Sequence, residues 1–124
     1  MLAIRMPVEP AGDAALQLLS GACSHIGLRR RRNEDAFLTD PEHGLFAVAD
    51  GMGGHPAGDV ASRMALETVG RALTRPDGPP LNAVRLTEAF AAANAALLEH
   101  ALARPDHSGL GTTLTLLCTH GRQA

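Results

Sequence analysis

Carboxylates stand at two places in the chain where an apolar segment begins or ends. Glu34 and Asp35 directly precede the segment 36–39, and Asp50 directly follows the apolar run 45–49. Because antiparallel strands place the start of one strand beside the end of the next, a hairpin of these segments brings the three carboxylates together. Converging carboxylates repel one another unless a cation lies between them. Their hard oxygen atoms suit Mg²⁺ or Mn²⁺ better than zinc.

A glycine-dense segment follows Asp50, and an arginine lies four residues before Glu34. Residues 51–58 read Gly-Met-Gly-Gly-His-Pro-Ala-Gly. A backbone without Cβ atoms turns sharply and can offer a carbonyl, here that of Gly51, to a metal ion beside Asp50. A guanidinium binds phosphate through two parallel hydrogen bonds, so Arg30 near a metal–carboxylate centre indicates a phosphate ester as substrate.

The elements that position these residues follow from the spacing of apolar residues. Short apolar segments separated by turn residues predict strands, and apolar residues at helical spacing predict two helices. The predicted strands cover residues 22–26, 36–39, 45–49 and 112–119, and the predicted helices run from an N-cap at Asp59 to about residue 73 and from about residue 82 to residue 103. This order predicts an α+β fold with an antiparallel sheet. We expect residues 1–20 to form an N-terminal lead-in to a domain that occupies residues 21–124.

Composition argues against several classes of protein. The net charge is −2, and the chain has three Phe and neither Trp nor Tyr, so the charge and stacking surfaces of a nucleic-acid-binding protein are missing. No segment reaches the roughly 18 apolar residues that span a bilayer. Cys23 and Cys118 give no disulfide framework, and the absence of such a framework is typical of proteins of a reducing compartment. We therefore expect a cytoplasmic protein with neither nucleic-acid nor membrane partners.

Each candidate residue also has a plainer interpretation. Taken singly, the acidic residues read as turn acids and strand-end caps, and Arg29, Arg31 and Arg32 read as a solvated basic face. The glycine segment does not fit a nucleotide-binding loop, because Pro56 takes the place of the third glycine and no Lys-Ser/Thr follows. Only a metal and phosphate site explains the ordered set as a whole.

The ordered set resembles the bacterial protein phosphatase 2C family of metal-dependent protein phosphatases. The motifs of that family read Gly-x-x-Arg-x-x-Asn-Glu-Asp, then apolar-x-Asp-Gly-Met-Gly-Gly-His-x-x-Gly, then Gly-Met-Gly-Thr-Thr. The matching residues are Gly27, Arg30, Asn33, Glu34 and Asp35, then Val48, residues 50–55 and Gly58, then Gly109, Gly111, Thr112 and Thr113. The resemblance spans about residues 21–119.

The resemblance implies a two-metal phosphatase that removes phosphate from phosphoserine and phosphothreonine in proteins. Asp50 would bridge two Mn²⁺ or Mg²⁺ ions, the Gly51 carbonyl would bind one of them, and Glu34 and Asp35 would hold the metal shell. A water activated by the ions would attack phosphorus while Arg30 holds the phosphoryl oxygens. The substrate would be a phosphorylated protein, namely a bacterial Ser/Thr kinase or its targets. The implied fold is part of an α-β-β-α sandwich, in which antiparallel helices flank antiparallel sheets.

Two questions stay open at the level of sequence. Met52 stands where some relatives carry a histidine proposed as general acid, so the proton for the leaving group can come from His55 or from a metal-bound water. The later acidic motifs of the family are not among the 124 residues, so we expect this chain alone to be incomplete and inactive. The alternative is a non-catalytic fragment or a degenerate phosphatase module that binds a phosphoprotein or kinase.

Overall fold

A computed structural model of the chain describes residues 2–5, 18–29, 31–52, 57–76 and 78–119. Its strands are β1 (Leu2–Arg5), β2 (Leu19–Ala22), β3 (Asp35–Asp40), β4 (Leu45–Asp50) and β5 (Thr115–Cys118). Its helices are α1 (Gly58–Leu73) and α2 (Ala83–Ala103), and a 3-10 turn at Pro105–His107 follows α2. In the described parts of the chain, no helix is both long and apolar enough to span a bilayer.

Strands β3 and β4 form the predicted antiparallel hairpin. Asp35 is paired with Asp50 at one end and Asp40 with Leu45 at the other, where the chain reverses. Gly44 occupies the left-handed region at φ 63°, which favours glycine, and its N–H donates to the Pro41 carbonyl at 3.2 Å. The turn residues that bound these two apolar segments in the sequence therefore fix the hairpin.

Strand β4 is the centre of a three-stranded antiparallel sheet in the order β3-β4-β5. Its sequence is nearly all apolar, which fits a strand whose side chains are buried on both faces of the sheet. Leu45, Phe46, Ala47 and Ala49 are all buried. The predicted last strand, 112–119, is shorter in the structure, because regular pairing is limited to Thr115–Cys118 and only an isolated bridge forms at Thr112.

Helix α1 packs against one face of this sheet, and α2 packs against α1. Side chains alternate across a strand, so Leu45, Ala47 and Ala49 share the face that meets the helix. Opposite them lie Leu66 and Val69 of α1, both buried. The predicted α+β fold with an antiparallel sheet is confirmed.

The start of α1 and one face of α2 differ from the sequence prediction. Asp59 is not the N-cap; Ala57 holds that position at φ 120° without a side-chain hydrogen bond, and Asp59 lies in the first turn. There its charge interacts favourably with the helix dipole instead of capping it. In α2 the buried residues are Ala89 and Ala93, whereas Phe90, one of the apolar residues whose helical spacing predicted this helix, is 39% exposed.

The N-terminal pairing was not anticipated from the sequence. Leu2–Arg5 pairs antiparallel with Leu19–Ala22, so the strand expected at 22–26 lies earlier in the chain. Side chains at 22–26 still alternate between half-buried and exposed, as in an extended segment, but 23–26 is not assigned to a strand. Extended character is a local property, whereas strand pairing depends on a partner elsewhere in the chain.

Candidate active site

Residues from all three motifs meet at one end of the three-stranded sheet. Asp35 and Asp50 are direct partners across the β3–β4 hairpin. Gly51 forms a bridge with Thr112, and the Thr113 N–H donates to the Asp50 carbonyl at 2.9 Å. The hairpin geometry proposed from the sequence thus brings the acidic positions of the first two motifs side by side, and the third motif completes the edge.

Asp35 and Asp50 present two carboxylates on the same face of the sheet, because direct partners in an antiparallel pair point to the same side. Both residues are exposed, and both line a cleft of about 360 Å³ together with Phe37, Val48 and Thr113. Neither carboxylate has a hydrogen bond or ion pair with another residue that the structure describes. Two like charges in direct opposition are unfavourable by themselves. A hard cation between them would remove that repulsion, so the donor set fits Mg²⁺ or Mn²⁺.

Glu34 lies on the opposite side of the strand start from Asp35. Its backbone carbonyl accepts a hydrogen bond from the Gly51 N–H at 3.1 Å. Its carboxyl carbon would lie 3.1 Å from a Cβ atom placed on Gly58, at the beginning of α1. The structure therefore unites Asp35 and Asp50 on one face and directs the Glu34 carboxylate toward α1. Within the described ranges, no three His, Cys, Asp or Glu side chains form a group that could hold a metal ion.

The glycines at this end allow backbone segments to touch. A Cβ atom on Gly51 would collide with the Gly58 carbonyl and would lie 2.9 Å from the Glu34 carbonyl oxygen. Any side chain at Gly51 would therefore separate the segment that carries Asp50 from the start of α1. The sequence indicated that glycine here permits a turn; the structure adds that it permits a close approach between the first two motifs.

Met52 connects the second motif to the third. Its N–H donates to the Gly111 carbonyl at 3.0 Å, and its methyl group would lie 2.5 Å from a Cβ atom on Gly111. Gly111 thus leaves the space that the thioether fills. Met52 is 52% exposed, so the sulfur side chain forms part of the surface beside Asp50.

The side chains of Asn33 and Ser24 form hydrogen bonds at the segment that leads into β3. The Asn33 side-chain oxygen accepts a hydrogen bond from the Asp35 N–H at 3.2 Å, and its amide nitrogen donates to the Ser24 hydroxyl at 2.7 Å. This local turn is of the kind that Asn forms with the backbone two residues on. Arg30, expected to bind phosphate, and His55, a candidate proton donor, lie outside the described residues.

The shifted pKa values belong to groups at other places in the fold. The Arg104 guanidinium hydrogen-bonds to Asp106 after α2 and lowers the pKa of that carboxyl group. Burial raises the pKa of the Cys118 thiol, which lies opposite Leu45 at the far end of the sheet. At neutral pH this thiol is therefore less ionised than an ordinary cysteine.

The fold and the motifs of this chain match known phosphatases. The protein-family model described as protein phosphatase 2C matches residues 24–124. The chain is 38% identical to the serine/threonine protein phosphatase PstP of Mycobacterium tuberculosis over 108 residues. It superposes with a TM-score of 0.70 and 34% identity on the crystal structure of the PstP catalytic domain in complex with two manganese ions. With PppA of Pseudomonas aeruginosa, a regulatory component of T6SS, the TM-score is 0.64 and the identity 41%.

The matched segment is a part of each of these relatives. The sequence match to PstP covers 87% of this chain but only 20% of PstP. The match to the crystal structure of the PstP catalytic domain covers 98% of this chain and 45% of that domain. The match to the PppA structure covers 80% of this chain and 43% of PppA. Together, the fold and the motifs are similar to part of the domain that these phosphatases share. The chain belongs to the protein phosphatase 2C family.

Proposed function

We propose that the intact gene product, meaning residues 1–124 with any coding sequence that adjoins them, hydrolyses phosphoserine and phosphothreonine in proteins. The observation that carries the proposal is the direct opposition of Asp35 and Asp50 at the edge where all three motifs meet. The relatives' description as serine/threonine protein phosphatases supports the substrate class. A bacterial Ser/Thr kinase, or proteins that it phosphorylates, would supply such substrates.

In the intact gene product, the residues at this edge would contribute ligands to a site for two divalent ions, Mn²⁺ or Mg²⁺. Asp50 would bridge the ions, the Gly51 carbonyl would bind one of them, and Asp35 and Glu34 would hold the metal shell from the neighbouring strand. When bound, the ions supply a water nucleophile at neutral pH and stabilise charge on the phosphoryl group. The manganese in the PstP crystal structure supports the choice of metal.

The remaining roles are phosphate binding and proton transfer. Arg30 would hold the phosphoryl oxygens through its planar guanidinium. Met52 carries no transferable proton, so the proton for the leaving serine or threonine oxygen would come from His55 or from water.

We further propose that residues 1–124 by themselves do not turn over substrate. The described residues offer two opposed carboxylates on one face of the sheet, with Glu34 directed to the other side. Two-metal catalysis needs both ions held about 3.5–4 Å apart, which takes more ligands than this set provides. A phosphatase assay of the purified 124-residue chain in excess Mn²⁺ tests this expectation directly. Turnover that disappears in an Asp50→Asn variant would show that the chain assembles a working site.

The decisive test of the function is Asp50→Asn in the intact gene product. The bridging ligand would lose its charge, so we expect hydrolysis of a phosphothreonine peptide in Mn²⁺ to fall by more than the roughly 10²–10³-fold seen for a single electrostatic donor. The matched control is Asp40→Asn, at the opposite end of β3, where Asp40 pairs with His43 at 2.8 Å. The control should keep its activity.

Two results would contradict the proposal. If Asp50→Asn kept most of its activity at saturating Mn²⁺, Asp50 would not be a metal ligand. If the wild-type gene product bound the phosphopeptide but did not hydrolyse it, the alternative of a non-catalytic binding module would replace the phosphatase.

A further inference from the structure

Thr113 holds the backbone of Asp50 from both sides. Its N–H donates to the Asp50 carbonyl at 2.9 Å, and its side-chain hydroxyl accepts a hydrogen bond from the Asp50 N–H at 3.1 Å. The two residues are 63 positions apart in the chain, so this contact is a tertiary one. It joins the second motif to the third at the residue on which the proposed chemistry depends.

The hydroxyl replaces a hydrogen bond that strand pairing would otherwise supply. The β4–β5 register pairs Val48 with Thr115, and its continuation places Thr113 opposite Asp50. In a regular antiparallel pair of this kind, each residue's N–H donates to the other's carbonyl. Here the Thr113 N–H does so, but the Asp50 N–H donates to the Thr113 hydroxyl, while the Thr113 carbonyl accepts a hydrogen bond from the Thr112 hydroxyl at 2.9 Å.

Holding both sides of Asp50 fixes the direction in which its side chain leaves the backbone. The planes of the two peptide groups that flank a residue fix the directions of its N–Cα and Cα–C bonds, and these fix the direction of Cα–Cβ. Asp50 is exposed at the end of β4, where it still pairs with Asp35 of β3, but regular pairing with β5 has ended at Val48 and Thr115. The Thr113 hydroxyl therefore takes the place of a strand carbonyl for the Asp50 N–H on the β5 side, and it adds a restraint on the peptide plane that precedes Asp50.

We infer that Thr113 is a positioning residue, whose hydroxyl aligns the backbone of Asp50 so that its carboxylate can bind a divalent cation. The inference rests on the proposed function, because it assigns Asp50 to a metal ion. Thr113 also lines the cleft with Asp35 and Asp50, so the restraint acts within the site. Partners that orient metal-binding side chains typically affect metal affinity by about 10–100-fold when they are removed.

The test measures Mn²⁺ affinity of the intact gene product by electron paramagnetic resonance, with Mn²⁺ itself as the probe. Thr113→Val keeps the shape of the side chain and removes the acceptor, and we expect the dissociation constant for Mn²⁺ to rise about 10–100-fold. Thr113→Ser keeps the hydroxyl and should stay within about twofold of wild type. Thr115→Val, two residues further along, makes the same chemical change outside the site and should also have no effect. If Thr113→Val does not fold, Thr113→Ala takes its place.

The outcomes separate this inference from the proposed function. An Asp50→Asn variant that binds Mn²⁺ like wild type would overturn the proposed function and the inference with it. Loss of Mn²⁺ binding in Asp50→Asn with unchanged binding in Thr113→Val would overturn the inference alone. Equal weakening in Thr113→Val and Thr113→Ser would also overturn it, because the hydroxyl would then not be what matters. Weakening in Thr113→Val that Thr113→Ser rescues would support it.

Discussion

The two ends of helix α1 are completed in opposite ways. At the start, Ala57 has φ 120° and provides no side-chain cap, and the backbone of Gly58 packs directly on Gly51. At the end, the Arg85 guanidinium donates to the carbonyls of Ala72 and Leu73, at 3.0 and 3.3 Å. A further hydrogen bond joins Arg85 to the Pro79 carbonyl, and the Thr74 hydroxyl donates to the Gly70 carbonyl at 2.8 Å. Side chains thus satisfy the last carbonyls, whereas glycines and backbone shape the first turn.

This difference suggests separate roles for the two ends of α1: residues at its start serve the proposed activity, and residues at its end stabilise the fold. At the start of α1, Gly51 and Gly58 allow the first two motifs to touch and leave room for the Glu34 side chain. At the end of α1, Arg85 donates hydrogen bonds to the Ala72 and Leu73 carbonyls, which would otherwise lack partners because they lie at the helix terminus. Substitutions near the start should therefore change activity more than stability, and substitutions at the end should do the reverse.

Of the two effects, on activity and on stability, the larger is expected for Arg30, four residues before Glu34 in the first motif. Arg30→Ala should reduce transition-state stabilisation by roughly 2–4 kcal/mol, the scale for removing a well-placed electrostatic donor, while stability stays unchanged. The measurement is kcat/KM with a phosphothreonine peptide, together with the urea unfolding midpoint. Arg31→Ala is the matched control, since Arg31 is exposed and its removal should leave both quantities near wild type. Equal behaviour of the two variants would mean that the arginines form a solvated patch and not a phosphate-binding group.

A smaller effect, on stability and not on activity, is expected at the other end of α1. Arg85→Ala removes hydrogen bonds from a charged donor to partly buried carbonyls, and it should lower the free energy of unfolding by about 1.5–3 kcal/mol. Its kcat/KM should be unchanged, because Arg85 lies at the opposite end of α1 from the motifs. Arg71→Ala provides the control within the same last turn: Arg71 is exposed, and its pair with Glu67 spans 3.5 Å. If Arg85→Ala reduced activity without reducing stability, the two ends of α1 would not have separate roles.

The elements that the sequence predicted well are those with local signals at their boundaries. The hairpin was expected at 36–39 and 45–49 and is found at Asp35–Asp40 and Leu45–Asp50, because turn residues separate two apolar segments. Helix α2 was expected to begin near residue 82, and Asn82 is its N-cap, with its side chain accepting a hydrogen bond from the Arg85 N–H. The pairing of β1 with β2 was missed, because it depends on a contact between segments that are distant in sequence.

At the site, motif spacing predicted which residues share an edge but not how each is oriented. Glu34 and Asp35 were expected to act from the same side, although adjacent residues of an extended segment point to opposite faces. That alternation alone was a sufficient signal for the separation of Glu34 from Asp35. No sequence signal indicated the role of the Thr113 hydroxyl. This role depends on where the regular pairing between β4 and β5 ends, which only the structure shows. The ligand roles of Glu34, Asp35, Asp50 and Gly51 remain predictions that metal titration tests.

The smallest expected effect is that of the ion pair in the first turn of α1. Arg63 contacts Asp59 at 2.7 Å, but the Arg63 side chain is 61% exposed, so solvent screens the attraction. We expect a double-mutant cycle of Asp59→Ala and Arg63→Ala to give a coupling free energy of about 0.3–0.5 kcal/mol, the range for exposed pairs four residues apart on a helix. Urea unfolding at low salt measures this coupling, and most of it should vanish in 1 M NaCl, where charges are screened within about 3 Å. A coupling above about 1.5 kcal/mol that persists in salt would show that side chains stabilise the start of α1 as strongly as Arg85 stabilises its end, and the contrast between the two ends would fail.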